Sequence, residues 1–534
     1  MKTGIRSFSR SLHRVVLPLC LAQALVVSAA PTKTFIVFGG GTADSTPQEI
    51  LDQSYLFADL PIDGIAIRVQ GRNAAGRALS VDYDMRAGEP WQFDFFADQI
   101  PIVREIVTKP GLQQSLLDSF RILTTRMRWD DDAGWALFAH NFAVHAKVAK
   151  ACGLKGMLID CEDYHKIRQF FLADGDGSYE ETAALARRRG RELFEGAFRA
   201  FPEMTLLSFW FLSLDPDYAE TADPVALAKV KGDLWPAFVN GLLDVLPSET
   251  TLVDGSEHGY CYEADRNDFY RSAAAVRDTL IPLVAPENRR KYRNQMRASH
   301  GVWPDMYWYA KSSPSDRWSF DDRPEDRLSH WERNLFQAAD AADECLWIFC
   351  SRSRLVDWKI SHPRYGRAMM AKRPLEERLP GAFSVLAAVR DPVAWGKRRM
   401  AEMSAKGSLV DLAATGEASA RQDWGYYVWD LSNVRPGEYY AVCAEGRGGD
   451  AAETLWVRLG KPDEKTAAVP WLGSRRQPLA TAADGLRHAM DVVRIPDAGA
   501  SRLQVLLPGL STNALPKVRF KPSKLTIHRL PFID

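Results

Sequence analysis

The chain has 534 residues, 68 basic and 68 acidic side chains, and 46% hydrophobic residues. That balance leaves no basic footprint for nucleic acid, and the length calls for two or more domains. Aromatic residues reach 11%, with 16 Trp, a composition suited to flat, apolar ligand faces.

Lys2, Arg6, Arg10 and Arg14 precede an apolar run from Val15 to Val27, and Ser28-Ala29-Ala30 supplies small residues. This is the layout of a secretory signal peptide over residues 1–30, and it implies a secreted or periplasmic protein. The run is shorter than the roughly 20 residues of a spanning helix, so no membrane span is expected. Without this segment, 64 basic side chains stand against 68 acidic ones, a net of −4. Six cysteines remain: Cys152, Cys161, Cys261, Cys345, Cys350 and Cys443. They show no C-x-x-C spacing and are too sparse for a disulfide framework. Cys161, Cys345 and Cys350 lie in apolar runs, so buried thiols are expected there.

Eight short β-rich runs follow: Thr34–Gly39, Gly64–Val69, Phe120–Met127, Gly156–Asp160, Thr205–Phe211, Thr251–Asp254, Met306–Ala310 and Cys345–Cys350. Amphipathic helical stretches lie between several of them, clearest over Asn141–Ala151, Glu180–Phe201, Asp268–Val284 and Arg327–Ala342. Strand and helix repeated eight times predict an α/β architecture, a (β/α)8 TIM barrel over residues 31–360. An open doubly wound sheet is the competing arrangement. Residues 70–100 read as an insertion in which Trp91, Phe93, Phe95 and Phe96 form an alternating pattern. Residues 361–405 are basic and interrupted by Pro363, Pro374 and Pro380, which predicts a helical connector. From about residue 408 the period changes to 2. Tyr426–Leu431, Tyr439–Glu445, Thr454–Leu459, Met490–Ile495, Leu503–Leu507 and Lys524–Leu530 predict an all-β sandwich, jelly-roll-like, over residues 406–534.

The chemistry concentrates after the fourth strand. Met157-Leu158-Ile159 is followed at once by Asp160, Glu162 and Asp163. In a parallel barrel the C-terminal rim of the strands is where catalysis is built. Residues two apart in a strand point to the same side, so Asp160 and Glu162 face one pocket. Their repulsion raises one pKa, which suits a general acid. Glu162 is the expected proton donor and Asp160 its tuner. After strand six, Asp254-Gly255-Ser256-Glu257-His258-Gly259-Tyr260 offers Glu257 as the partner carboxylate, nucleophile or base. A loop acid capping the next helix is the alternative for Glu257. His258 reads as a loop side chain. His165 permits a D-x-E-x-x-H metal reading, but zinc sites carry more His or Cys, so no metal or other cofactor is expected.

Carboxylate pairs of this kind point to glycosidic-bond cleavage. Trp129 follows strand three, Trp210 ends strand five, Tyr307 and Trp308 belong to strand seven, and Trp347 lies in strand eight. With Tyr260 they are candidate substrate-binding side chains, because sugar C–H faces stack on such rings. Barrel core is an equal reading for Trp308 and Trp347. Arg68, ending strand two, either binds an acidic sugar group or pairs with a rim acid.

The fourth-strand segment resembles the D-G-x-D-x-D-x-E motif of chitinase-type glycosidases, glycoside hydrolase family 18. Aligned on the final Glu, Lys155-Gly156-Met157-Leu158-Ile159-Asp160-Cys161-Glu162 matches at Gly156, Asp160 and Glu162. Lys155 and Leu158 stand where that family has Asp. The resemblance, at superfamily level and over residues 31–360, implies a barrel glycosidase acting on a poly- or oligosaccharide. It leaves two alternatives. One is a substrate-assisted hydrolase of N-acetylated sugars using Asp160 and Glu162. The other is a non-catalytic glycan-binding protein on a barrel scaffold. The sandwich would then be a carbohydrate-binding domain or a structural prop.

Overall fold

The computed structural model describes residues 33–81, 83–121, 126–163, 167–361, 365–423, 426–448, 454–460, 471–497, 500–508 and 520–533. The expected signal peptide, residues 1–30, and His165 lie outside the described residues.

Nine strands form one parallel sheet: β1 (Thr34–Gly39), β2 (Gly64–Ile67), β3 (Leu116–Arg121), β4 (Gly156–Asp160), β5 (Thr205–Ser208), β6 (Thr251–Asp254), β7 (Met296–Ala298), β8 (Gly301–Val302) and β9 (Cys345–Cys350). Their order is β7-β6-β5-β4-β3-β2-β1-β9-β8. Every residue of β2 and β4 is buried, the pattern of a parallel strand covered on both faces. Only Ser299 and His300 separate β7 from β8. Asp254 of β6 pairs with Ala298, and Gly301 pairs with Trp347 of β9. β7 and β8 are therefore two halves of one bent seventh strand, and the sheet closes as a TIM barrel.

Two strands differ from the sequence expectation. Met306–Ala310 is not the seventh strand, because Asp305–Trp308 forms a helical turn. The buried Asp305 carboxylate accepts from the indole N–H groups of Trp303 and Trp308, the amides of Ser351 and Arg352, and the Ser353 hydroxyl. Those bonds tie the turn to the loop after β9, so the aromatic run serves a turn rather than a ladder. The third strand runs Leu116–Arg121 instead of Phe120–Met127, with Leu116 and Leu117 fully buried. Residues 122–125 lie outside the described residues.

The outer helices form where capping and apolar spacing coincide. At the helix Tyr179–Ala200, Ser178 and Glu181 make a capping box, each side chain accepting the other's backbone amide. Ala186, Leu193, Phe194, Ala197 and Phe198 recur at helical spacing and are buried. They face the helices Asp132–Ala151 and Trp235–Asp244. In the segment read as an insertion, Phe93–Phe96 is a short 3-10 turn. The Trp91 amide there donates to the Asn141 side chain at 2.7 Å, which fastens the segment to the helix Asp132–Ala151.

Four helices, Tyr365–Met370, Leu375–Arg378, Ala382–Arg390 and Pro392–Ala405, lead to nine further strands. These are β10 (Ala418–Asp423), β11 (Tyr426–Ser432), β12 (Tyr439–Gly448), β13 (Thr454–Gly460), β14 (Trp471–Pro478), β15 (Ala480–Thr481), β16 (Arg487–Arg494), β17 (Arg502–Pro508) and β18 (Phe520–Arg529). They make two antiparallel sheets, β10-β11-β17-β13-β14 and β15-β16-β12-β18. Leu455, Val457 and Val505 of one sheet meet Val442, Val493 and Ile527 of the other in a separate core. This is the all-β sandwich that the period-2 pattern predicts. Among the described residues no helix is long and apolar enough to cross a membrane.

Candidate active site

β4 delivers the first two acids to the barrel mouth. It ends at Asp160, whose carboxylate accepts the Glu162 amide at 3.0 Å. The chain therefore turns tightly at the strand end, with both carboxyls at the rim. Cys161 points away from them, its thiol 3.7 Å from the Ser208 hydroxyl. Burial raises that thiol's pKa well above its ordinary value.

β6 delivers the third acid. Its last residue, Asp254, is fully buried and accepts from the amides of Leu212 and Ser213 and from the Ser213 hydroxyl. The next residues turn sharply: Ser256 has φ 39°. The Glu257 amide then donates to the Phe209 carbonyl at 3.0 Å. Trp347 braces this turn from β9, its indole N–H donating to the Gly255 carbonyl at 2.8 Å. A Cβ on Gly255 would lie 2.6 Å from the Ser208 carbonyl oxygen and 2.7 Å from the Trp347 indole nitrogen. Only glycine fits that approach. Trp347 is itself fixed by Phe209, stacked at 4.4 Å and 6°.

The three acids act on one another electrically. Glu257 is partly buried, and burial is the largest cause raising its pKa. The charges of Glu162 and then Asp160 add to the rise, and the result is pushed up to about 9. Tyr260 and Arg317 oppose it weakly. The buried Tyr260 hydroxyl faces this carboxyl but does not reach it in good hydrogen-bond geometry. Burial and the same three acids push the Tyr260 phenol upward too. Burial and the neighbouring negative charges thus disfavour the ionised form of Glu257 at the mouth.

Asp160, Glu162, Glu257 and Tyr260 come together, with Trp347 beneath them. Trp210 is near the Glu257 turn, stacked on His258 at 6.5 Å. Its buried indole N–H has no partner among the described residues. His258, on the short 3-10 helix Glu257–Cys261, donates its Nε2–H to the Leu214 carbonyl at 2.8 Å. Arg68 binds Asp118 of β3 at 3.0 Å, so it pairs with an acid of the next strand.

Three expected binding residues sit elsewhere. Trp129 is buried among the outer helices, stacked on Trp135 at 5.4 Å and against Phe170 and Phe238. Tyr307 packs toward the helix Arg327–Ala341, its hydroxyl accepting from Asn334 at 2.9 Å. Trp308 donates to Asp305 and lies under the Arg378 guanidinium. Trp129 follows the expected third strand and Tyr307 and Trp308 belong to the expected seventh, but in each case the side chain packs outside the barrel strands.

Nothing in the sequence marks the wall beyond Tyr260. Trp303 touches Tyr260 at 5.4 Å and Trp318 at 5.8 Å. Arg352 lies over the rings of Tyr309 and Trp303, and Arg317 over Trp318. These residues follow the bent seventh strand and β9 in irregular loops, where no periodicity marks a side chain's direction. Among the described residues, no group of three or more His, Cys, Asp or Glu is arranged to hold a metal ion.

No protein-family model and no curated protein matches the chain. Solved structures align with it at low identity and low TM-score. A glycoside hydrolase is similar over 89% of this chain and 92% of its own, at 10% identity and a TM-score of 0.32. A Bacteroidetes-affiliated GH5 cellulase covers 67% of this chain and 91% of its own, at 9% identity and a TM-score of 0.33. A sugar phosphate isomerase/epimerase from Parabacteroides distasonis covers 69% and 98%, at 11% identity and a TM-score of 0.30. None of these scores bears on activity.

Proposed function

We propose that the protein is a glycoside hydrolase whose working groups are Glu257, Glu162 and Asp160. The observation that carries this is a cluster of three acids at the C-terminal mouth of a parallel barrel, in which burial and the Glu162 and Asp160 charges raise the Glu257 pKa. The roles are exchanged relative to the sequence expectation. Glu257 is the group whose surroundings keep its proton near neutral pH, so it protonates the leaving glycosidic oxygen as the C–O bond breaks. Glu162 supplies negative charge to the anomeric carbon as positive charge develops there, and Asp160 orients the Glu162 backbone through its amide. Water supplies the hydroxyl of the freed sugar and returns a proton to the carboxyl cluster. Trp347 and Tyr260 pack on one another beside these acids. The expected export segment supports a setting for this chemistry outside the cytoplasm.

The test is turnover on a panel of oligosaccharides by the wild type and by Glu257→Gln and Glu162→Gln. Each variant should lose at least about a hundredfold in kcat while keeping its melting transition. Full turnover by Glu162→Gln would sink the pair. Near-normal turnover by Glu257→Ala would favour the substrate-assisted alternative instead.

A further inference from the structure

The wall outside Tyr260 carries charge that nothing in the proposed reaction uses. Tyr260, Trp303 and Trp318 are 4%, 8% and 36% exposed, so this series of rings leads from Glu257 out to solvent. Two guanidinium groups lie over its rings. Arg352 sits 3.4 Å from the Tyr309 ring centroid and 4.9 Å from that of Trp303. Arg317 sits 4.4 Å from the centroid of Trp318 and within electrostatic reach of Glu257.

Among the described residues neither guanidinium forms an ion pair with a carboxylate. Arg352 donates one bond, to the Trp318 carbonyl at 3.0 Å. Asp316 is the acid that feels Arg352, but its carboxylate is engaged by Ser312 and the Trp318 amide. Elsewhere at the rim the arginine is already matched, as Arg68 is with Asp118. A guanidinium laid on a ring keeps its N–H edge turned outward, ready for a two-point contact with a planar anion. Its orientation is set before binding, so less side-chain freedom is lost when a ligand arrives. The adjoining interior is acidic, holding Asp160, Glu162 and Glu257. A neutral ligand has no need of two cations there, whereas an anionic one would be repelled without them.

We propose that Arg317 and Arg352 form a subsite for the negatively charged group of an acidic sugar, a ring carboxylate or a sulfate ester, next to the cleaved bond. This rests on the glycosidase reading above and names its substrate class. Trp303, Tyr309 and Trp318 supply the apolar faces for the ring that carries the anion.

The experiment is calorimetric binding to the full chain carrying Glu257→Gln. The ligands are di- to tetrasaccharides of glucuronic or galacturonic acid, their carboxyl-reduced neutral counterparts, and sulfated counterparts. Acidic ligands should bind at least about tenfold tighter than reduced ones, the effect of one charge-assisted contact. That preference should vanish in Arg317→Ala/Arg352→Ala and persist in part in Arg317→Lys/Arg352→Lys, which keeps the charge. The tighter of the carboxylated and sulfated series identifies the anion. Equal binding of acidic and reduced ligands, or a preference that survives the double alanine change, overturns the subsite. Turnover separates the two ideas. Cleavage of neutral and acidic ligands at equal rates keeps the glycosidase and removes the subsite. Arginine-dependent binding of acidic ligands with no cleavage of any does the reverse.

Discussion

Glu257 is a carboxyl that folding places at a cost to its ionised form. Its folded pKa lies near 9, above the ordinary carboxylate value of 4.5, through burial first and the Glu162 and Asp160 charges next. Below about pH 4.5 folded and unfolded chains both hold the proton, and the group leaves stability unchanged. As pH rises from there to about 9, the unfolded chain ionises while the folded one does not, so stability falls. Glu257→Gln should therefore stabilise the protein at pH 8 by on the order of 1 kcal/mol or more, read as a higher melting temperature, and leave stability unchanged at pH 4. An identical shift at both pH values would show that the carboxyl is ionised in the folded protein. The D-x-E spacing made Asp160 and Glu162 visible, because two acids after an apolar run need no partner to be noticed. Which acid keeps its proton was not visible, because that depends on neighbours brought from another strand.

At the scale of elements, the wall after the bent seventh strand depends on His330. Its ring nitrogens lie 2.9 Å from Asp322 and 2.7 Å from Glu263, joining the end of that wall to the segment after β6. Burial opposes a charge on the ring, but bonds to Asp322 and Glu263 win and push its pKa up to about 9. The folded value lies above the ordinary 6.5, so this clamp's stability is fully present below about pH 6.5 and is lost as pH rises through about 9. His330→Gln should loosen residues 309–322 at neutral pH as high pH does in the wild type, at roughly 1–3 kcal/mol. Proteolytic nicking in that segment is the readout. Unchanged cleavage at pH 7 and pH 10 would remove the clamp. The sequence pointed to a strand at Met306–Ala310 because the run of Tyr307, Trp308 and Tyr309 is rich in strand-favouring residues. The true strand, Met296–Ala298 with Gly301–Val302, is short, polar in part and broken at Ser299-His300. Likewise β10 and β14 escaped the period-2 reading, since ASARQD and WLGSRRQP carry few apolar residues.

Across the whole molecule, one buried carboxylate joins barrel and sandwich. Glu332, on the helix Arg327–Ala341, is 2% exposed. It accepts from Arg494 of β16 at 2.6 and 2.9 Å and from the Tyr439 hydroxyl of β12 at 2.9 Å. The Arg494 guanidinium also lies over the Phe336 ring. A cavity of about 750 Å³ opens beside this joint, between Leu328 on one side and Gly437 and Ile533 on the other. Removing one partner leaves a buried charge alone, which costs about 3–5 kcal/mol. Glu332→Ala should split thermal unfolding into two calorimetric transitions, and Glu332→Met/Arg494→Met should restore much of the loss. A single unshifted transition in Glu332→Ala would mean that the two parts are joined by other contacts.

The sequence by itself determined the alternation of buried strands and amphipathic helices, the change to period 2 near residue 408, and the acids at the end of β4. These are local properties, written in the spacing of neighbouring residues along the chain. Only the tertiary structure decided how the barrel closes through a split strand, which aromatics lie beside the acids, and that burial with the Glu162 and Asp160 charges pushes the Glu257 pKa up. Strand closure is a matter of pairing between distant segments. Desolvation and charge repulsion act through space, so a carboxyl's proton is set by residues that the chain brings together only when it folds.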